Sequence, residues 1–315
     1  MRKGQNPAKF VNTVSRPERI TAAVLSYVPF LSGYYAEALD VLRACLDSMR
    51  TKAGLPFDIM VFDNGSCCEF CEYLVAEKEA GRIQYLVLSE RNVGKGGAWN
   101  IILGGAPGEI IAYCDSDVLF SPNWLKRSVE LLETFPNVGM VTARPFRTPP
   151  DLYQATLDWA RKEADLSSGS FIPWETFLEF NLSLGQSEEE NRRVYSETQD
   201  WRIVYKGVTA FAGGSHWQFT GWKAILQRFL PFEMDKPMGE VRQLDRRVND
   251  AGLLRLMVPE PLAMNLSNTL GYLRGELGRG TRAERPSVGK RVLNFGPVRK
   301  TLLAIYNRIF RWYYV

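Results

Sequence analysis

The chain has 315 residues, of which 45% are hydrophobic and 23% charged, so it can bury a sizeable core and is not a disordered protein. It contains a single histidine, His216, which excludes zinc sites built from two or three imidazoles. Any histidine-dependent catalytic triad would have to use that residue. The five cysteines contain one CxxC pair, and no second pair is present to complete a metal site. This pattern favours free thiols in a reducing compartment over disulfides or a structural metal.

The positive charges are concentrated near the carboxyl terminus. The net charge is +4, but residues 271–315 alone carry ten basic and two acidic side chains, which leaves −4 for residues 1–270. This asymmetry indicates a polyanionic partner for the tail. The sequence shows neither a signal-peptide pattern nor 18 consecutive apolar residues, so we expect a cytoplasmic protein, peripheral at most on the inner face of a membrane.

The hydrophobic pattern alternates between short apolar runs and helical periods after a polar, basic arm at residues 1–19. Strands are predicted over residues 20–27, 58–62, 83–88, 109–114 and 138–142. Helices are predicted over residues 34–52, 68–80, from 94 onward and over 122–135, the last with Pro122 in its first turn. This order predicts an α/β fold with a mainly parallel sheet and helices on both faces.

The second part of the chain is less regular and rich in aromatic residues and proline. Helices are predicted near residues 151–164 and 174–184, then over 239–251, followed by a strand over 253–258. These patterns do not by themselves indicate a ligand.

Polar clusters follow three of the predicted strands. Ser26 ends the first, Asp63 follows the second, and Asp115-Ser116-Asp117 follows the fourth. Ligands of open parallel sheets bind beyond the carboxyl ends of the strands. Two carboxylates separated by one residue suit Mg²⁺ or Mn²⁺ that bridges substrate phosphates. The alternative explanation of the acidic triplet is an ordinary turn before the next helix.

Residues 91–100 form a glycine-dense entry to a helix with cationic neighbours. Glycines let a backbone approach a ligand closely, and helix N-termini favour anions, so this segment predicts contacts with phosphate groups. The alternative is close packing of the helix. The segment matches neither the P-loop nor the dinucleotide-binding pattern.

Three motifs in this order resemble those of the GT-A glycosyltransferases of family 2: Asp63–Ser66, Asn92–Asn100 and Asp115–Asp117. The resemblance covers about residues 20–270 and is specific over 20–142. It implies a GT-A (Rossmann-like) fold, a nucleotide-diphosphate sugar donor, Mn²⁺ or Mg²⁺, and inversion at the anomeric carbon.

The resemblance also implies roles for individual residues. Asp63 would meet the nucleotide base, Arg91 would lie near the base or phosphates, and Asp115 would lie near the ribose or sugar. Asp117 would bind the metal, with Asp115 as a second candidate ligand. The predicted donor-binding set is Ser26, Asp63, Arg91, Asn92, Gly94, Lys95, Asp115, Ser116 and Asp117.

The catalytic base of the family lies in a Glu-Asp pair that opens a late helix. Residues 239–252 match the later part of that pattern at Arg247 and the Ala-Gly that follows, but Val241 stands at the position of the aspartate. Glu240 is therefore the first candidate base and Asp245 the second. The alternatives are a favourable charge in the first helical turn for Glu240 and an ion pair with neighbouring arginines for Asp245.

Two further positions bear on the site. Asn265 stands where many relatives carry a histidine that sometimes ligates the metal, and its amide would bind Mn²⁺ more weakly than imidazole. His216 and Trp217 lie where the family lines its acceptor pocket, so they are candidates for a hydroxyl contact and a stacking platform. The alternative is that both residues belong to an aromatic core.

The predicted domains are an arm (1–19), a GT-A domain (20–270) and a basic extension (271–315). The GT-A domain divides into a nucleotide-sugar half, residues 20–142, and an acceptor half, residues 143–270. Beyond Pro297, apolar and basic residues alternate as in an amphipathic helix at a membrane interface. The alternative is a helix that docks on the protein's own core.

The sequence thus predicts a metal-dependent, inverting glycosyltransferase of the hexosyltransferase type. The expected acceptor is a glycan or lipid-linked sugar in cell-envelope polysaccharide biosynthesis, and nucleic acid is not an expected partner. A non-catalytic nucleotide-sugar-binding subunit is one alternative, because Val241 replaces the usual base. A nucleotidyltransferase is another, disfavoured because no GxGxR-type loop follows the first strand.

Overall fold

The structure is a computed structural model that describes residues 4–234, 241–276 and 308. One compact unit extends to Tyr272, and the remainder of the chain forms a second unit. Most of the predicted tail helix, and with it the predicted membrane contact, lies outside the described residues. No helix within the described ranges is both long and apolar enough to cross a membrane.

The described strands and helices are numbered here in chain order. The strands are β1 (Ile20–Ser26), β2 (Asp58–Asp63), β3 (Tyr85–Leu88), β4 (Ile110–Asp115), β5 (Val118–Phe120), β6 (Val138–Thr142), β7 (Asp165–Gly169), β8 (Asp200–Tyr205), β9 (Val208–Ala212), β10 (Gln218–Trp222), β11 (Leu254–Met257) and β12 (Ala263–Asn265). The α-helices are α1 (Ala38–Lys52), α2 (Cys68–Glu79), α3 (Gly94–Gly105), α4 (Trp124–Thr134), α5 (Gln154–Glu163), α6 (Trp174–Ser183), α7 (Glu188–Glu197), α8 (Lys223–Leu226) and α9 (Arg242–Asp250).

Ten of these strands form one sheet in the order β3-β2-β1-β4-β10-β6-β11-β9-β8-β7. The pairs β2–β3, β1–β2, β1–β4 and β6–β11 are parallel. Strand β10 runs antiparallel between β4 and β6, and β9, β8 and β7 alternate in direction beyond β11. Seven of the ten strands therefore point the same way, which confirms the predicted mainly parallel α/β sheet.

Both faces of the sheet are covered, as strand β1 illustrates. Ala22 and Val24 belong to the hydrophobic cluster that also contains residues of α1, α2 and α4. Ala23 and Leu25 belong to the cluster formed with α3 and α9. Successive residues of a strand point to opposite faces, so a continuous apolar run is what a strand covered on both sides requires.

A short second sheet follows the acidic triplet. Strand β5 begins directly after Asp117 and pairs antiparallel with β12, so that Val118 lies opposite Asn265. The Leu266 N–H donates to the Asp117 carbonyl oxygen at 2.7 Å. The sequence did not predict β5, because three residues are too few for a periodic signal.

The predicted start of α4 is wrong by two residues. The helix begins at Trp124, after Asn123 with a left-handed φ of 67°, so Pro122 precedes the helix and is not in its first turn. The Asn123 N–H donates to the Lys52 carbonyl oxygen at 2.7 Å, at the end of α1. This tertiary contact fixes the entry to α4, and the local preference of proline does not.

Candidate functional site

The carboxyl ends of β1, β2 and β4 lie side by side at one edge of the large sheet. Ser26 at the end of β1 pairs with Asp63 at the end of β2, and Leu25 pairs with Asp115 at the end of β4. The structure thus brings together the polar clusters that the sequence placed after three separate strands. This is the edge at which parallel sheets bind ligands.

Asp63 is fully buried, and protein donors occupy both of its carboxylate oxygens. One oxygen accepts the hydroxyls of Ser26 and Ser66, at 2.9 and 2.5 Å. The other accepts the N–H groups of Gly65 and Ser66, at 3.2 and 2.9 Å. These bonds fix the turn after β2. They account for the carboxylate and for Ser26 without any ligand, so the contact with a nucleotide base stays a prediction.

Two asparagines join the loops after β2 and β3. Asn64 Nδ2 donates to Asn92 Oδ1 at 2.9 Å, and Asn64 Oδ1 accepts the Val93 N–H at 2.9 Å. Asn92 Oδ1 also accepts the Gly94 N–H at 2.7 Å. Arg91 beside them is exposed, and no described residue forms an ion pair with it. Asn92 and Gly94 therefore build the loop, while Arg91 is available to an anion.

Helix α3 begins at Gly94 as predicted, but two of its glycines serve packing. A Cβ atom at Gly96 would lie 2.0 Å from the Glu233 carbonyl oxygen, and one at Gly97 would lie 2.9 Å from Met234 Sδ. Neither position has room for a side chain, so the glycines let the chain around Glu233 lie directly against α3. The packing alternative accounts for these two residues.

Lys95 and Asp115 form an ion pair at the end of β4. Lys95 Nζ lies 2.7 and 2.8 Å from the two carboxylate oxygens, and the Tyr113 hydroxyl donates to one of them at 2.6 Å. Burial, followed by the charge of Asp115, raises the pKa of Tyr113 well above its ordinary value, so the hydroxyl keeps its proton. Lys95 thus compensates the charge of Asp115, and its predicted contact with phosphate stays a prediction.

Asp117 has no such compensation. Its Oδ1 atom is buried, and no hydrogen bond to it is formed within the described part of the chain. Burial raises the pKa of Asp117 to about 7, an effect that the charge of Asp115 increases and that of Lys95 opposes. Burying a carboxylate without a partner is costly. Asp117 is therefore stabilised at this edge either by a proton or by a further positive charge, and the second of these is a requirement that a ligand can meet.

A divalent cation fits this requirement. Carboxylate oxygens are the ligands that Mg²⁺ and Mn²⁺ prefer. Within the described ranges, no group of three or more His, Cys, Asp or Glu side chains encloses a metal position. Asn265 lies next to the acidic triplet, but its Oδ1 accepts the N–H and hydroxyl of Ser267 at 2.7 and 3.0 Å. Substrate oxygens and water are the other groups that could complete the coordination of a cation here.

The loop of residues 213–217, between β9 and β10, reaches the acidic end of β4. The Asp115 N–H donates to the Trp217 carbonyl oxygen at 2.9 Å. The Trp217 ring is 8% exposed and packs against Phe180 and Phe146, with ring centres 5.5 and 6.5 Å apart. This packing agrees with the core alternative for Trp217.

His216, in the same loop, is joined to Asp245 of α9. Its Nδ1 atom lies 2.7 Å from Asp245 Oδ2. Asp245 Oδ1 accepts a hydrogen bond from Arg255 Nη2 at 2.5 Å, and the same guanidinium donates to the Gly214 carbonyl. The side chains of Asp245 and Arg255 are 3% and 0% exposed. Asp245 thus forms a buried ion pair, with Arg255 of β11 rather than with the neighbouring arginines of its own helix.

The two remaining predicted residues contribute little to the described geometry. Glu240, the first candidate base, lies outside the described residues. Ser116 is half-buried between the two aspartates, and its hydroxyl forms no hydrogen bond within the described ranges. Their roles stay predictions.

The later part of the chain, between Phe146 and Met257, also forms a partly open cavity of about 560 Å³. Its wall contains the buried pair of Arg147 and Asp200, in which Arg147 Nε lies 2.8 Å from Asp200 Oδ1. The Arg147 guanidinium lies 4.1 Å from the ring centre of Tyr195. Apolar side chains such as Ile172 and Phe211 complete the wall, so the cavity offers a mostly apolar space with a neutral charge pair.

Sequence reasoning missed Tyr113, Arg255 and the cavity. Tyr113 had a usable signal, since residues i and i+2 of a strand share a face and Asp115 is two residues further on. Arg255 had no such signal in the sequence. It is a cation inside an apolar strand, and only the fold shows which partner it has. The cavity combines segments far apart in a region without a clear pattern.

Comparison with known proteins gives the class of this protein. Residues 34–181 match the family described as glycosyl transferase family 2. The chain is 27% identical over 100 residues to a protein named an uncharacterized glycosyltransferase from Nostoc sp. (strain PCC 7120), 32% of this chain and 31% of that protein. It is 34% identical over 103 residues to the succinoglycan biosynthesis protein ExoO of Rhizobium meliloti, 33% of this chain and 29% of that protein. The matches span less than a third of each curated relative.

Two solved structures are similar over most of the chain. The mannosyltransferase PcManGT of Pyrobaculum calidifontis, solved with GDP-Man and Mn²⁺, has a TM-score of 0.48 and 18% identity, covering 83% of this chain and 60% of that one. TarS of S. aureus, solved with UDP-GlcNAc, has a TM-score of 0.47 and 14% identity, covering 78% of this chain and 58% of that one.

Residues 34–181, just under half of the chain, are similar to glycosyl transferase family 2, and the mainly parallel α/β sheet agrees with that similarity. The match over these residues confirms the resemblance seen in the motifs. The matched region contains all three motifs and the aspartates at the ends of β2 and β4.

Proposed function

We propose that this protein transfers a sugar from a nucleotide-diphosphate donor to a hydroxyl acceptor, with inversion at the anomeric carbon and with Mn²⁺ or Mg²⁺ as cofactor. The observation that carries the proposal is the state of Asp117, a part-buried carboxylate with one buried, unpartnered oxygen at the ligand-binding edge of the sheet. The family match supplies the reaction class.

The two acidic residues take different roles in this proposal. Asp117 would hold the cation, because its charge is uncompensated. Asp115 is neutralised by Lys95 and so needs no cation, but its oxygens still accept hydrogen bonds. We therefore assign Asp115 to hydroxyl groups of the ribose or sugar. Exposed Arg91 would contact the phosphates.

The leaving group explains why positive charge is needed at this edge. When the bond between sugar and phosphate breaks, negative charge develops on the departing diphosphate. A bound divalent cation would neutralise that charge as a Lewis acid. The chain's own contribution is to hold Asp117 between β4 and β5, where the Leu266 N–H fixes its backbone.

The acceptor is proposed to be a glycan or lipid-linked sugar of the cell envelope. Two observations support this: one relative is named for succinoglycan biosynthesis, and the acceptor half contains the cavity beside Arg147. The net charge of +8 in residues 271–315 supports contact with the inner surface of an anionic membrane. Flotation with liposomes containing anionic lipid, compared with the chain truncated after residue 272, tests the membrane contact.

A thermal-shift screen tests the donor site. We expect UDP-sugars or GDP-sugars to raise the melting temperature only when Mn²⁺ or Mg²⁺ is present, since saturation at 100 times Kd stabilises by about 2.7 kcal/mol. Asp117→Asn should abolish this shift and lower release of the nucleoside diphosphate by about 10²-fold or more. Asp58→Asn, at the opposite end of β2, is the matched control and should behave as the wild type.

The outcomes separate the proposal from its rivals. Donor binding without release of a nucleoside diphosphate would show a non-catalytic binding subunit. Release of pyrophosphate from a nucleoside triphosphate and a sugar phosphate would show a nucleotidyltransferase. Full activity of Asp117→Asn, or of the wild type in EDTA, would contradict the metal-dependent mechanism.

A further inference from the structure

We propose that His216 is the general base of the transfer reaction and that Asp245 is its positioning residue. This inference rests on the proposed function, because it names the group that deprotonates the acceptor. It replaces both carboxylates that the sequence nominated as bases, Glu240 and Asp245.

Asp245 is unsuited to take the proton itself. One of its oxygens accepts from Arg255 and the other faces His216 Nδ1, and only 3% of the side chain is exposed. A base must reach the hydroxyl that it deprotonates. Asp245 is enclosed by its two partners and therefore acts on a substrate only through His216.

The same contacts determine which ring nitrogen of His216 carries the proton. An ionised carboxylate can only accept hydrogen bonds, and Asp245 Oδ1 already accepts one from the Arg255 guanidinium at 2.5 Å. Nδ1 therefore carries the hydrogen of the neutral ring, and Nε2 keeps a free lone pair. No described residue forms a hydrogen bond with Nε2, and 20% of the side chain is exposed.

His216 is held at the acidic edge of the sheet. Its ring centre lies 6.3 Å from that of Trp99, whose ring lies 5.5 Å from Lys95 Nζ. The next residue, Trp217, accepts the Asp115 N–H through its carbonyl oxygen. Arg255 binds the Gly214 carbonyl as well as Asp245, so one buried cation fixes both the loop and the aspartate.

The chemical step balances with these groups. The acceptor oxygen attacks the anomeric carbon while its proton passes to His216 Nε2. The bond from the anomeric carbon to the diphosphate oxygen breaks, and its electron pair leaves with the nucleoside diphosphate. The imidazolium that forms is stabilised by Asp245, which Arg255 in turn holds in place.

Since the chain has a single histidine, its state can be measured without resonance assignment. We expect long-range ¹H–¹⁵N spectra of the full chain near neutral pH to show the Nδ1–H tautomer. Asp245→Asn should change the tautomer population, whereas Asp158→Asn, an exposed carboxylate of α5, should not. A wild-type ring protonated at Nε2 alone would overturn the proposal, because that nitrogen could not accept a proton.

The kinetic test uses His216→Asn, whose side-chain amide can still donate to Asp245 but has no group in place of Nε2. With a donor from the thermal-shift screen and water as the acceptor, we expect release of nucleoside diphosphate to fall by about 10²–10⁴-fold. Donor affinity should stay within twofold of the wild type, and the acid limb of the pH–rate profile should disappear.

The failures of the two proposals are distinguishable. If no donor binds the wild type, the proposed function itself fails. If the donor binds and His216→Asn turns it over at the wild-type rate, only the present inference fails. Loss of turnover in Glu240→Gln together with full turnover in His216→Asn would assign the base to Glu240.

Discussion

Asp63 and Asp117 lie at the same edge of one sheet, yet their environments are opposite. Asp63 receives four hydrogen bonds from serine hydroxyls and backbone N–H groups, all within its own neighbourhood. Asp117 has a buried oxygen without a partner and a pKa raised to about 7. A carboxylate whose oxygens all accept hydrogen bonds from the protein stabilises the loop around it. A carboxylate with an unpartnered oxygen is instead stabilised by a ligand or cation that binds to it. The comparison separates a structural aspartate from a ligand-binding one by its hydrogen bonds.

The largest expected effect is the loss of stability when Asp63, the structural aspartate, is replaced. Asp63→Ala removes the acceptor of four hydrogen bonds, one buried and three part-buried, and leaves their donors without this partner, so we expect the free energy of unfolding to fall by about 3–5 kcal/mol. Urea denaturation measures this change. Asp58→Ala, on the same strand with an exposed hydrogen bond to the Glu18 N–H, is the control and should cost about 1 kcal/mol or less. Equal losses of unfolding free energy in the two variants would show that the hydrogen bonds of Asp63 do not stabilise the loop.

The second prediction concerns Asp117 in the absence of metal and donor. Its folded-state pKa, about 7, lies above the ordinary value of 3.8, so the folded protein binds this proton more tightly than the unfolded chain. The associated stability is complete below about pH 4 and is lost as the pH rises through 7. Asp117→Asn should therefore be more stable than the wild type at pH 8, by about 2–3 kcal/mol, and nearly equal at pH 4.

Melting temperatures recorded between pH 4 and 8 in EDTA measure this difference. Parallel pH profiles for the two proteins would show that Asp117 carries no uncompensated charge. That result would remove the main support for a cation at this residue.

A smaller effect on stability is expected for the ion pair between Lys95 and Asp115. Lys95→Met leaves Asp115 without its cation, and because Asp115 is 28% exposed we expect a loss of about 1–2 kcal/mol. Lys95 also lowers the pKa of Asp117, so the variant should move the pH-dependent loss of stability to higher pH. Lys95→Arg keeps the charge and should shift the profile much less. An unchanged profile in Lys95→Met would mean that the two groups do not interact.

Much of the order of strands and helices was predictable from the sequence, because apolar runs and helical periods are local signals. The strands that end at Ser26, Asp63 and Asp115 were predicted within a residue or two, and the sheet edge followed from them. The state of each carboxylate was not predictable. Whether Asp63 or Asp117 keeps a free oxygen depends on donors that the fold brings in from several loops.

The acceptor half was harder for the same reason. Strands β7 to β9 are short and pair antiparallel at one side of the sheet, and β10 is a short antiparallel strand between β4 and β6, so their sequences show little periodicity. The pairing of Asp245 with Arg255 joins a helix to a strand, and the contact of Asp245 with His216 joins that helix to a loop. No spacing rule relates these three residues, so a catalytic interpretation of any one of them needed the structure.

The position of β10 has a consequence for dividing the chain. This strand comes from the later half of the sequence but inserts between β4 and β6 of the earlier half, with pairing on both sides. Expressing residues 20–142 by themselves would leave a gap in the middle of the sheet and two unprotected strand edges. The halves are therefore suited to fragment complementation, in which two separately produced pieces regain their structure only after they associate.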